Sequence, residues 1–459
     1  MTHAPNHVSP RGPARRRALA FWCLMLVFAP LVLLAPAGCG GGGGGSDTGA
    51  TTGNNSGRVE PQPGWNVLAL TPVQTPRKWT ILLYMNGAND LEEFGSLNVN
   101  QLETVGSNGD INIVAQFKRM RSSQSYDDKS NGDWTGTRRY LVTKDNDQAT
   151  VTSTQLSNRA DLDMGQAASL RAFIDWGVAT FPAEKYCIVL WNHGAGWRSR
   201  ARDKSVVTRG FSYDDETENH IDTNQLPAAI QLSDGRKWDL ITWDSSLMQM
   251  AEVAYEIRNQ GKWIVGSEES PPGAGYPYDR FISQLAANPN MDGRAFGTII
   301  ADETLADYGP NSNITQSLLD ASKVEPLAAA ANALGAALMN AKATYGEQIA
   351  LARDDAEFYD YRNNKDLLDF LRLLKANVPD GSVQTAATQL EAAARAAIVK
   401  SVNGRDHPNS NGLSVYLPTP NGYRRDDIEQ ANGFGQRYVE IAFAQAAPNW
   451  QSFLAQGPP

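Results

Sequence analysis

The chain has 459 residues, 41% hydrophobic and 20% charged, which fits a globular protein with a substantial core. A formal net charge of −9 and a pI of about 5.2 argue against nucleic acid as the main partner. Cys23, Cys39 and Cys187 are the only cysteines, so no disulfide framework supports the fold.

The N-terminus reads as an export signal over residues 1–38. Arg11, Arg15, Arg16 and Arg17 precede an apolar run at 18–35. Two processing routes fit. Ala35-Pro36-Ala37 has the form of a secretory cleavage site. Pro36-Ala37-Gly38-Cys39 has the form of a bacterial lipobox, with Pro36 in place of the usual aliphatic residue and Cys39 as the lipidation site. A lipid anchor at Cys39 would hold the protein on the membrane of a bacterial cell envelope, and simple secretion is the alternative. The apolar run is also about the length that spans a bilayer as an uncleaved anchor. Residues 39–76 are rich in Gly, Ser, Thr, Asn and Pro and read as a flexible tether.

Apolar runs at 78–84, 111–117, 186–191, 238–243 and 262–267 predict strands. Helical patterns fall at 91–105, 161–179 and 224–232, and Leu247, Met250, Ala254 and Ile257 share one helical face. Strands separated by helices predict an α/β fold with a mostly parallel sheet and helices on both faces. After Pro310 the pattern is largely helical, at 324–343, 365–376 and 383–399, and a strand at 412–417 closes the fold. No linker interrupts Pro76 to Pro418, so residues 77–420 read as one elaborated domain. Residues 421–459 form a tail expected to pack on it.

In such sheets, sites sit at the carboxyl ends of strands. Two ends stand out. His193 follows a strand within Trp191-Asn192-His193-Gly194-Ala195-Gly196-Trp197, where Gly194 and Gly196 permit close backbone approach. Such a loop presents an imidazole and backbone N–H groups to a substrate carbonyl; the structural alternative is a turn histidine. Ser246, in Asp244-Ser245-Ser246-Leu247-Met248, sits at a strand-to-helix corner. There a helix N-terminus favours negative charge on a nucleophile, and an N-cap is the structural alternative. Asp244 fits a cap, a substrate-pocket charge or a third triad member.

These segments together resemble the clostripain family of cysteine peptidases, in the caspase-like clan. Trp79 to Gly87 with Asn89-Asp90-Leu91 is similar to that family's first strand and loop. Phe181-Pro182-Ala183 through Trp197 resembles its histidine segment, and Asp244 to Met250 with Glu252 and Tyr255 its nucleophile segment. Gly266-Ser267-Glu268-Glu269 with Pro272-Gly273, Gly275, Tyr276 and Tyr278 resembles its next strand and substrate loop. Thr315-Gln316-Ser317 and Gly412 to Pro418 match later segments. The resemblance implies a caspase-like fold with a helical C-terminal elaboration and His193 as the catalytic histidine. It also implies cleavage after Arg or Lys, with Asp244 and the Gly194 loop binding substrate. The family pattern is Asp-x-Cys-Leu-Met-Gly-Met; here Ser246 occupies the cysteine position and Gln249 that of the glycine. Cys187, inside a predicted strand, reads as a small buried hydrophobe.

A thiol has a pKa near 8.5 and is partly ionised at neutral pH, whereas a serine hydroxyl needs a base in hydrogen-bond contact. Three functions follow from that difference. The first is a peptidase-fold protein of the cell envelope with impaired or absent proteolysis and a cleft for basic or extended peptides. The second is a hydrolase using Ser246 and His193, for which sequence identifies no acid behind His193. The third is a structural or assembly role at the cell surface. Asp214, Asp215, Glu216, Glu218, His220 and Asp222 form an acidic cluster for which Ca2+ is the candidate ligand; a solvated loop is the alternative. His407 receives no role. There is no P-loop, Rossmann glycine pattern or HExxH zinc motif.

Overall fold

The computed structural model describes residues 62–69, 75–121, 127–197, 200–202, 206–208, 210–431 and 436–459. The signal, Cys39 and most of the tether lie outside them. A ten-stranded sheet organises the fold. Its strands are β1 (Asn66–Val67), β2 (Arg77–Gly87), β3 (Ile111–Arg119), β4 (Gly136–Leu141), β5 (Thr154–Arg159), β6 (Ala183–Trp191), β7 (Leu240–Asp244), β8 (Trp263–Gly266), β9 (Thr315–Asp320) and β10 (Ile398–Asn403). The spatial order is β1-β5-β4-β3-β2-β6-β7-β8-β9-β10. The centre, β3-β2-β6-β7-β8, is parallel, and antiparallel strands extend it on both sides.

The parallel strands coincide with the predicted apolar runs because both of their faces are covered. In β2, Ile81, Leu83 and Met85 face one core and Leu82 and Tyr84 the other. The first core is closed by α1 (Glu92–Glu103), which contributes Val99 and Leu102. Two helices absent from the sequence reading also cover it, at Tyr278–Ala287 and Gly293–Tyr308, through Phe281, Leu285, Phe296 and Ile300. The second core is closed by Ala167–Thr180, Ala251–Ile257, Glu325–Asp355, Leu367–Asn377 and Gly381–Ala397. Full burial of each Leu, Ile or Phe contributes about 1.5–3 kcal/mol, so the two cores dominate stability.

Residues 438–456 close one end of the second core. Trp450 is fully buried, 6.4 Å from the Phe370 ring. Gly335 lets Pro448–Gln456 approach, since a β-carbon there would stand 2.4 Å from the Trp450 nitrogen.

Three expectations are corrected. The helix expected at 161–179 begins at Ala167, because the Asp163 carboxylate accepts the Gly165 N–H and forms a turn. The pattern at 224–232 yields a short helix, Leu226–Ile230. The helix expected from Leu247 starts only at Ala251. Leu247 has φ of +63°, outside the right-handed helical region. Its N–H bonds the Glu269 carbonyl and the Gln249 N–H bonds that of Ser267, so 245–250 is an extended turn clamped to the loop after β8.

Candidate active site

The parallel register brings three strand ends to one edge. Met85 pairs with Trp191, and Trp191 pairs with Asp244. The loops that follow therefore emerge side by side, carrying Asp90, His193 and Ser246. Buried amides fasten them. Asn192 donates to the Asn86 carbonyl and accepts the Tyr213 N–H at 2.7 Å. Asn86 and Asn89 both donate to the Tyr213 carbonyl, at 3.0 and 2.8 Å. The Asn192 N–H reaches the Asp244 carbonyl at 3.2 Å. Each of these groups would be costly to bury unpaired, so the network sets the loop geometry.

The three loops line a cleft of about 360 Å3 together with residues 270–273, Gly275, Asp360 and Tyr361. His193 is half-buried, and its Nε2 lies 2.5 Å from Asp90 Oδ1. This hydrogen bond holds the Asp90 carboxyl below its usual range. With Nε2 engaged, Nδ1 is the ring nitrogen left for proton transfer. Asp90 supplies the acid missing from the sequence reading. Its place just past the end of β2 was the available signal, since strand ends carry sites, but Asn-Asp is also ordinary turn chemistry.

Ser246 is half-buried beside this loop, since a β-carbon on Gly194 would stand 2.4 Å from the Ser246 carbonyl oxygen. Gly194→Ala therefore forces the two loops apart. It is expected to weaken ligand binding to the cleft by roughly tenfold, about 1.4 kcal/mol, while leaving far-UV circular dichroism intact. Among the described residues, no hydrogen bond joins Ser246 to His193, and no backbone acceptor takes the Gly194 or Ser246 N–H. Those two N–H groups are available to a substrate carbonyl. The helix-terminus stabilisation expected at Ser246 is absent, because the helix begins five residues later and is capped by Met250. For the same reason Ser246 is not an N-cap.

Asp244 lies in the cleft at 6% exposure. Its Oδ2 accepts the Tyr278 hydroxyl at 2.6 Å and the Tyr276 N–H at 3.4 Å. Gly275 packs against the carboxylate, where a β-carbon would come within 2.8 Å. No described residue partners Oδ1. Burial pushes the Asp244 carboxyl up to about 6, against the pull of the Tyr278 and Tyr276 hydrogen bonds.

Other candidates do not join the site. The Cys187 thiol is fully buried in β6, 3.7 Å from Thr242 Oγ1, and burial pushes it up to about 12. The acidic cluster does not converge as a calcium site: Asp214 and Glu216 are bound by Lys118 at 2.6 and 3.1 Å, and Asp222 meets His220. Among the described residues no group of His, Cys, Asp and Glu forms a metal cradle.

The sequence profile of the clostripain family matches residues 83–456. Clostripain of Hathewaya histolytica is 26% identical over 235 residues, which is 46% of this chain and 43% of the relative; the match thus spans less than half of that protein. A secreted cysteine protease of Bacteroides thetaiotaomicron, solved with an irreversible peptide inhibitor, superposes with a TM-score of 0.57 at 19% identity, covering 82% of this chain and 99% of the other. An inactive zymogen protease of Parabacteroides distasonis gives 0.58 at 18% identity, with the same coverage. At these identities the superpositions establish a shared fold, the caspase-like α/β architecture with its helical C-terminal region. The profile covers most of the chain, and the protein belongs to the clostripain family.

Proposed function

We propose that this protein binds basic peptide segments in the cleft at the carboxyl edge of its sheet, with proteolysis impaired because Ser246 holds the family's cysteine position. The carrying observation is Asp244, a buried carboxylate whose Oδ1 has no partner among the described residues and whose described cleft lining contains no Lys or Arg. An arginine or lysine side chain supplies the missing counter-charge. The impairment rests on the hydroxyl: Ser246 has no hydrogen bond to His193, so the base contact a serine needs is not preformed. Cys39 and the apolar run support an exported protein held at the cell envelope by a lipid.

Cation binding requires ionised Asp244, so affinity depends on pH with a definite sign. The free carboxyl titrates near 6; protonation below that value removes the charge. Affinity for an arginine-containing peptide is expected to rise about tenfold between pH 5 and 7 and then level off. Asp244→Asn should lose about 30-fold at pH 7.5, near 2 kcal/mol, and remove the pH dependence. Fluorescence anisotropy with labelled arginine and alanine peptides measures both, and equal affinity for the two peptides would overturn the reading.

A second reading is serine-dependent hydrolysis after basic residues. The 2.5 Å contact between Asp90 and His193 favours it, because that acid orients the imidazole. Turnover of arginine substrates by the wild type that disappears in Ser246→Ala would establish it.

A further inference from the structure

Four aspartates line the cleft: Asp90, Asp215, Asp244 and Asp360. His193 is the only basic side chain among the lining residues, and it is engaged by Asp90. Asp90 is engaged by His193, so one arginine on Asp244 still leaves the Asp360 carboxylate without a cationic partner among the described residues.

Asp360 is the most distinctive of the remaining carboxylates. Its Oδ2 accepts the Ser270 hydroxyl at 3.3 Å, and it makes no salt bridge with a described Lys or Arg. Its backbone is held in place. The Asp360 and Ser270 N–H groups both donate to Glu269 Oε1, at 3.1 and 2.6 Å. Glu269 Oε2 in turn meets His407 Nε2 at 3.1 Å, and His407 Nδ1 meets Glu357 Oε1 at 3.1 Å. Buried ionic contacts thus fix an exposed carboxylate on the cleft wall. Asp244 is 6% exposed and its Oδ1 has no partner among the described residues of the same cleft; in the proposed function it takes the first cation.

We infer that Asp360 forms a second cation subsite, so that the cleft selects peptide segments carrying two nearby basic residues. The inference rests on the proposed binding of basic peptides and specifies the ligand class. An ion pair at an exposed carboxylate contributes up to about 1 kcal/mol, or roughly fivefold in affinity. Because Asp360 is exposed, that gain is screened by salt.

The test uses the full chain and a set of labelled peptides of equal length, with no, one or two arginines. The second arginine is moved through two positions on either side of the first. At about 50 mM salt, one placement should bind roughly fivefold more tightly than the single-arginine peptide. The ratio should fall towards one at about 500 mM salt and in Asp360→Asn, which keeps the side-chain shape and the backbone bonds to Glu269. A single-arginine preference over alanine, with no placement of the second arginine gaining affinity, overturns the inference and leaves the Asp244 reading intact. A fivefold gain that persists in Asp360→Asn also overturns it. If the wild type does not prefer one arginine over none, both fall.

Discussion

Ser246→Cys is expected to raise turnover of fluorogenic arginine and lysine substrates by about a thousandfold or more over the wild type. On the proposed reading, the cleft, the imidazole and the N–H pair at Gly194 and Ser246 are in place, and the attacking atom limits the rate. A thiol with a pKa near 8.5 is already a few per cent thiolate at neutral pH, and an adjacent imidazole raises that fraction. The serine hydroxyl has no such population and depends on proton removal during attack. Two sources of compensation are missing. The hydroxyl is not hydrogen-bonded to His193, and the helix after β7 starts at Ala251, too far along to stabilise charge at Ser246. A thousandfold difference corresponds to about 4 kcal/mol of barrier. The measurement is kcat/KM for wild type, Ser246→Cys and Ser246→Ala. A wild type that matches the cysteine variant, and loses activity in the alanine variant, would overturn the impaired reading in favour of an Asp90-His193-Ser246 triad.

The parallel centre of the fold was legible because strands buried on both faces are apolar throughout, as in Trp79 to Met85. The antiparallel strands were not. β4 carries Arg138 and Arg139 in a mostly buried strand, concealed by tertiary contacts: Arg138 lies 4.0 Å over the Trp134 ring, and Arg139 lies 3.8 Å over Trp65 and 4.2 Å over Trp176. No local pattern announces an Arg139 guanidinium sandwiched by Trp65 and Trp176, both distant in sequence. β10 is half-exposed along its length and directly continues a helix, so its pattern merged into the helical one. At the site, His193 and Ser246 stood out by following apolar runs. Asp360 could not, because it reaches the cleft only through folding of the region after β9. Leu247 is a good helix former held at positive φ by backbone bonds to the 267–269 loop, so propensity pointed the wrong way there.

His407→Gln is expected to destabilise the protein by about 3 kcal/mol at pH 6, with the difference closing as pH rises towards 10. His407 lies between Glu269 and Glu357, and its side chain is 12% exposed. Burial alone lowers the imidazole, but hydrogen bonds to Glu269 and Glu357 outweigh it and raise His407 to about 9. A rise from 6.5 to about 9 corresponds to about 3 kcal/mol. Because the folded value is raised, this contribution is complete below pH 6.5 and lost as pH climbs through 9. Glutamine is neutral throughout, so the variant lacks that slope. Glu252 and Glu268, each pushed up to about 7 by burial, also reduce stability as pH rises, but equally in both proteins. Urea unfolding at pH 6 and 9.5 isolates the histidine term, and a difference that stays constant across that range would show that the charge on His407 is not its source. Since Glu269 also holds the Asp360 and Ser270 N–H groups, the same variant should weaken binding of two-arginine peptides at pH 6. His407, held between Glu269 and Glu357, thus links the stability of this corner to the shape of the cleft wall.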